Sequence, residues 1–185
     1  MAVIASALVL AQLSPAANGS TLERRGSCDA IVDTPPRELG AVGAERAVQC
    51  LLNRRRAQVG APSLRRNPVL TVAARTHSAF MQKHGCFDHL CPGEEPLDER
   101  LSLAGYIGDG LHSYRFGEAI AWGTGDGGTP RAIVRRLINS PPHRALLLSP
   151  RYEEVGVGFR YGTYRSRDED GGLYTVELGR RVFGD

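Results

Sequence analysis

The order of patterns along the chain predicts an α+β layered domain. Helical periodicity dominates from residue 44 into the middle of the chain, and alternating apolar and polar residues mark strands mostly in the second half. The chain has 185 residues, of which 42% are hydrophobic and 23% charged. That composition suits one folded domain and argues against extensive disorder. At this size about 70% of the surface of the unfolded chain is buried on folding, enough for a single core.

Residues 18–43 carry Pro35, Pro36, Gly40 and Gly43 and read as an irregular lead-in, so the folded body is expected to span 44–185. Ala44, Ala47, Val48, Leu51 and Leu52 recur at helical spacing, with Gly60 and Pro62 as the stop. Asn67 followed by Pro68 is a cap and first-turn proline. Behind it, Leu70, Ala73, Ala74, His77, Met81 and His84 form one face of a second helix that Gly85 ends. Leu97, Leu101 and Ala104, between Pro96 and Gly105, predict a short third helix. Thr129 and Pro130 repeat the cap signal before a fourth helix over Ala132 to Ile138. In the tail, Val155, Val157, Phe159 and Tyr161 alternate with Gly156, Gly158 and Arg160, and Tyr174, Val176 and Leu178 alternate with Thr175 and Glu177. These are two strands joined by a long loop from Gly162 to Gly172, and a further strand is predicted through Phe116 to Trp122.

Charge excludes one class of partner. Lys plus Arg number 23 against 20 Asp plus Glu, and Lys83 is the only lysine. The positives make one short cluster, Arg54, Arg55, Arg56, Arg65 and Arg66, rather than an uninterrupted stripe, so no nucleic-acid partner is expected. From Met1 to Leu22 there is no charged side chain, and the apolar run Ala2 to Leu13 ends in Ser14, Pro15, Ala16 and Ala17. The run is too short to span a bilayer but fits a secretory signal over residues 1–17, although a basic start is missing. In an exported chain the four cysteines, Cys28, Cys50, Cys86 and Cys91, favour disulfides. Of the possible pairings, a local clip between Cys86 and Cys91 leaves Cys28 to tie the N-terminal segment to Cys50. The rival is a zinc site at Cys86, His89 and Cys91, whose spacing fits no familiar knuckle.

Three segments offer chemistry at element ends: Phe87-Asp88-His89, Gly117-Glu118-Ala119 and Ser140-Pro141-Pro142-His143-Arg144. Two neutral imidazoles with a nearby acid could hold a divalent cation, and the acid could then orient bound water or take its proton.

These segments carry a resemblance. Leu51-Leu52-Asn53 with Arg56 and Gly60, Ala73-Ala74 with His77-Ser78 and Met81, Phe87-Asp88-His89, Ala104-Gly105-Tyr106, Gly117-Glu118 with Ile120-Ala121, Ser140-Pro141 with His143-Arg144, and Val155-Gly156-Val157-Gly158 follow one another in a familiar order over about residues 47–182. In them the chain resembles the CAP superfamily, the SCP domain of cysteine-rich secretory proteins, antigen 5 and plant pathogenesis-related proteins, and is most similar to small secreted bacterial members. The resemblance implies a three-layer α-β-α sandwich with a small, mainly antiparallel sheet and a surface cleft lined by two histidines and two acids. By motif, His89 and His143 are the histidines and Glu118 the first acid, while the second acidic position falls at Ser140. It also implies zinc or another divalent cation in the cleft of some members and lipid ligands elsewhere in others, with no general catalytic activity settled for the family.

This chain departs from the pattern at Ala119, where the family has Asn, at Pro142, where it has Gly, and at Leu137, where an aromatic is common. Losing the amide and the second acid predicts a weakly bound cation, which leaves as the pH falls below about 6.5.

The plainer alternatives are specific. His77 on an apolar helix face reads as a buried hydrogen-bonding residue outside the site, and His84 as a complement to the helix dipole. Ser140, His143 and Glu118 invite a nucleophilic relay, but no G-x-S-x-G elbow is present, and Ser140 more simply caps a turn before Pro141. Gly156 and Gly158 suggest tight strand packing. The readings in order are a monomeric secreted or envelope-associated binding module for a cell-envelope, lipid or peptide ligand, then a metal-assisted hydrolase with Glu118 as base, then a structural domain with a vestigial cleft.

Overall fold

The structure is a computed structural model that describes residues 28–168 and 170–184. The expected signal over 1–17 and the first part of the lead-in, 18–27, lie outside the described residues. In chain order the elements are a 3-10 turn at Cys28–Ala30, α1 (Pro36–Gln58), β1 (Arg65–Arg66), α2 (Pro68–His84), α3 (Leu97–Leu103), β2 (Leu111–Thr124), a second 3-10 turn at Gly125–Gly128, α4 (Pro130–Asn139), α5 (Pro141–Leu147), β3 (Glu154–Tyr161) and β4 (Gly171–Phe183). The sheet runs β1-β3-β4-β2; β4 is antiparallel to both neighbours, and β1 is parallel to β3. Among the described residues no helix is long and apolar enough to cross a membrane.

Strand alternation sorts the layers. Val155, Val157, Phe159, Tyr174, Val176 and Leu178 face α1 and α4 in the main core, together with Ala119 and Ala121 of β2. Their neighbours in sequence face α2. There Gly156 and Gly158 are required, because a Cβ would stand 2.1 Å from the backbone of Leu70 and 2.2 Å from that of Ala74. The helix therefore lies directly on β3, with Ser78 and Thr175 hydroxyls bonded at 2.8 Å across the contact. Helices on both faces of the sheet make the expected three-layer α-β-α sandwich.

α2 follows its sequence signals closely. Asn67 accepts hydrogen bonds from Val69 N and Leu70 N, and Gly85 closes the helix at φ +65°. Other boundaries differ from the sequence reading. Residues 36–43 are not irregular throughout: Pro36 sits in a first helical turn, where no N–H is needed, and Gly40, non-helical at φ +68°, makes a kink between that turn and the long helix that follows. α5 replaces the expected turn after Ser140, because Pro141 and Pro142 both fall in the first turn of a new helix. β1 has two exposed, charged residues and exists only through pairing with β3, so no alternation announces it.

A buried arginine locks α1 to the segment after α5. Arg56 is fully buried; its guanidinium donates to the carbonyls of Pro62 (2.7 Å), Leu147 (2.7 Å), Ser149 (2.9 Å) and Tyr152 (3.2 Å).

Disulfides join Cys28 to Cys50 and Cys86 to Cys91. Cys86 and Cys91 therefore offer no thiolate, which removes the zinc-knuckle alternative. On the chain-entropy model, with a separation of 22 residues, opening Cys28–Cys50 by a Cys28→Ser, Cys50→Ser double substitution is expected to lower stability by about 3 kcal/mol. Thermal unfolding of the oxidised variant against the oxidised native chain checks this; an unchanged midpoint refutes it.

Candidate functional site

The site begins with a carboxylate on a strand. Glu118, Ile120 and Trp122 share the α2-facing side of β2, and the Glu118 side chain is 1% exposed. His89 Nδ1 donates to Glu118 Oε1 at 2.7 Å, and Arg100 Nη2 donates to Oε2 at 2.9 Å. Arg100 also holds the 86–96 loop by donating to His89 O at 3.1 Å. From α2, His77 meets Glu94 at 2.7 Å through Nδ1, and its Nε2 lies 3.6 Å from Glu118 Oε1. The His89 loop is thus fixed by α2, α3, β2 and the Cys86–Cys91 clip.

Burial alone would raise the pKa of Glu118, but the His89 hydrogen bond and the positive fields of His77 and Arg100 outweigh it and hold the group below the ordinary carboxylate value. That same hydrogen bond raises His89 against the opposing effect of its partial burial. With an ionised acceptor at Nδ1, the neutral form of His89 carries its proton there and its lone pair on Nε2. Behind Glu118 lies Glu177, fully buried, with neither carboxyl oxygen hydrogen-bonded among the described residues. Burial, followed by the Glu118 charge, pushes it well above the ordinary value and favours its neutral form.

His143 occupies the first turns of α5, where its Nδ1 and the Ser140 hydroxyl share a 2.9 Å hydrogen bond. Burial lowers its pKa, and the His89 charge acting across the cleft lowers it further. Beside it is an open hollow of about 210 Å³, lined by Phe87, Ile120, Trp122, Arg136, Ser140 and His143 among others.

The structure brings Glu118 onto His89 and Ser140 onto His143, but no direct bond joins the two pairs. A Ser140–His143–Glu118 relay is not assembled, because Glu118 is engaged by His89 and Arg100 and does not meet His143. Among the described residues no three His, Cys, Asp or Glu side chains converge as a cation-binding group. What remains for a cation is a pair of imidazole Nε2 atoms, each ring oriented through Nδ1 by a neighbour. Glu118 accordingly positions His89 instead of adding a third donor.

The sequence reading left out His77, Glu94, Arg100 and Glu177, which bury the charges beneath the cleft. Glu177 read in the sequence as one of the polar residues of an alternating strand, whereas residues 171–179 are all buried. His77 was expected to be a buried hydrogen-bonding residue, and it is, through Glu94, while its Nε2 stands beside Glu118 without a hydrogen bond.

Known proteins are similar to this chain in sequence and in fold. The uncharacterized protein YkwD of Bacillus subtilis (strain 168) is 32% identical over 116 residues, 62% of this chain and 42% of that protein. The chain thus spans less than half the length of that relative. An extracellular protein containing an SCP domain from Bacillus anthracis superposes over 76% of this chain and 41% of its own, with a TM-score of 0.61 and 24% identity. An outer surface protein from Borrelia burgdorferi superposes over 74% of this chain and 92% of its own, with a TM-score of 0.59 and 16% identity. Both likenesses show the fold. The CAP profile, described as the cysteine-rich secretory protein family, matches residues 50–177, most of the folded body and every residue of the cleft, so the chain belongs to the CAP family.

Proposed function

We propose that this protein is a non-enzymatic binding module that acts outside the cytoplasm, and that its cleft between His89 and His143 engages a cell-envelope, lipid or peptide ligand. The observation that carries the reading is the engagement of Glu118. A general base must be free to reach a proton, yet this carboxylate is buried, held by Arg100 and His89, and stabilised in its ionised form. Two disulfides support an oxidising compartment, as do relatives of the same fold described as extracellular and outer-surface proteins.

The test is sedimentation of the oxidised protein with isolated bacterial envelopes, beside turnover assays on cell-wall, peptide and ester substrates. Envelope binding reduced severalfold by His89→Ala, His143→Ala, without turnover, is the expected result. Turnover abolished by Glu118→Gln would establish the hydrolase instead.

A divalent cation would be held here by His89 and His143, supplying positive charge to a ligand at the cleft. With two imidazole donors the affinity is expected to be weak, and proton competition at His89 is expected to begin above the ordinary value of about 6.5, because its pKa is raised. Calorimetric zinc titration between pH 8 and 6 checks this. Heat that survives the double substitution would place the metal elsewhere.

A further inference from the structure

The cleft continues beyond the histidines. Trp122 lies four positions beyond Glu118 along β2, about 13 Å at the usual strand rise. At the far end Trp122, Phe87 and Tyr164 form a cluster, with ring centroids 6.4 Å apart for Phe87–Trp122, 5.5 Å for Phe87–Tyr164 and 5.6 Å for Trp122–Tyr164. Trp122 and Tyr164 are half-buried against Met81, Cys91, Ile120 and Leu173, while Phe87 is 36% exposed. The trio is therefore a braced apolar wall that the fold leaves in contact with water.

Two guanidiniums border it. Arg136 lines the hollow and donates to the Trp122 carbonyl, and the Arg165 guanidinium carbon lies 5.0 Å from the Tyr164 ring centroid. No Asp or Glu is among the residues lining the hollow; the Asp88 and Glu118 charges act on His89, at the other end. The backbone adds polar groups. Tyr152 Oη donates to Phe116 O at 3.2 Å, as Arg136 does to Trp122 O, so the even-numbered residues of β2 turn their backbone groups away from β4. Glu118 and Ile120 lie between them without such a partner among the described residues, and Ile120 lines the hollow.

These features select among ligands. A cation is repelled by both arginines, and rings in mutual contact leave no gap to enclose a quaternary ammonium. A hollow of about 210 Å³ that is open to solvent cannot enclose an acyl chain, since apolar ligands bury about 70–90% of their surface. An added peptide strand needs a longer open edge than the two outward-turned residues, Glu118 and Ile120, left between two capped carbonyls. A sugar ring meets every condition: its C–H face stacks on electron-rich aromatic faces, its other face stays wet, and its hydroxyls pair with backbone groups. The arginines add a preference for a carboxylate.

Resting on the reading of this cleft as the ligand site, we propose that the aromatic wall of Phe87, Trp122 and Tyr164, with Arg136 at its rim, is a subsite for one ring of an acidic saccharide. Trp122 is the sole tryptophan, so its emission reports on the subsite directly. Titration of the oxidised full chain with trigalacturonic acid is expected to shift that emission saturably, at least tenfold more tightly than maltotriose or triglutamate. Arg136→Gln and Tyr164→Ala are each expected to weaken binding at least tenfold, while Tyr164→Phe retains it, which separates ring stacking from a folding defect. Absence of a saturable response, equal binding of maltotriose or triglutamate, or indifference to Arg136→Gln overturns the assignment. Envelope sedimentation that still depends on His89 and His143 without any saccharide response overturns this inference alone and leaves the binding module standing.

Discussion

Arg56→Met is expected to lower the unfolding free energy by roughly 3–5 kcal/mol. The substitution keeps much of the apolar stem but removes every donor from four carbonyls, those of Pro62, Leu147, Ser149 and Tyr152. Each acceptor left buried and unpaired costs about 1–3 kcal/mol, and relaxation recovers part of the sum. Lysine does not rescue the site, because one ammonium cannot span the planar fork that reaches both α1's own loop and the chain after α5. Because Leu147 ends α5, loosening it should also broaden the NMR signals of His143, which lies one turn earlier in the same helix. Chemical denaturation of the oxidised protein measures the stability loss; a change below about 1 kcal/mol would mean that water replaces the guanidinium.

Glu118→Ala is expected to cost a similar amount, about 3–5 kcal/mol, by leaving buried Arg100 without its closest counter-charge. The Glu94 and Glu177 carboxylates, at 4.0 and 3.8 Å from Arg100 Nη1, are too far to replace the hydrogen bond. Glu118→Gln keeps the shape and is expected to cost less. In both variants the His89 titration should fall back toward the ordinary imidazole value, since its hydrogen bond to Glu118 is the largest cause of the rise.

The pH dependence follows from the two directions. Glu118 is lowered, so its contribution is present above the ordinary carboxylate range, about 4.3, and is lost as pH falls through its folded value. His89 is raised, so its contribution is full below about 6.5 and is lost as pH rises through its folded value. The penalty for removing Glu118 should therefore be greatest between about pH 4.3 and 6.5. Above that window the part due to His89 fades while the Arg100 pair persists. A penalty that grew steadily from pH 6 to 9 would contradict the pairing.

The histidine loop shows how far sequence reading reaches. His89, Glu118, His143 and Ser140 stood out as candidates because of their residue types at element ends and because the family resemblance marks those positions. Arg100 and Glu177 were not, because each looks like an ordinary charge until the sheet and α3 close over it. The helical start at Pro36 was hidden by the same prolines and glycines that mark loops elsewhere. Position in a first turn, which pattern alone does not reveal, makes the prolines compatible with a helix.

By itself the sequence determined whatever depends on neighbours along the chain: α2 with its Asn67 cap and Gly85 stop, the alternating strands of the tail, and the short Cys86–Cys91 loop. The tertiary structure alone decided that Glu118 is buried and held by His89 and Arg100, that Arg56 is a buried clamp, and that Trp122 meets Phe87 and Tyr164 on the surface. The physical reason is range. Capping and alternation act over a few residues, whereas desolvation, charge pairing and ring contact depend on groups that only the folded chain brings together.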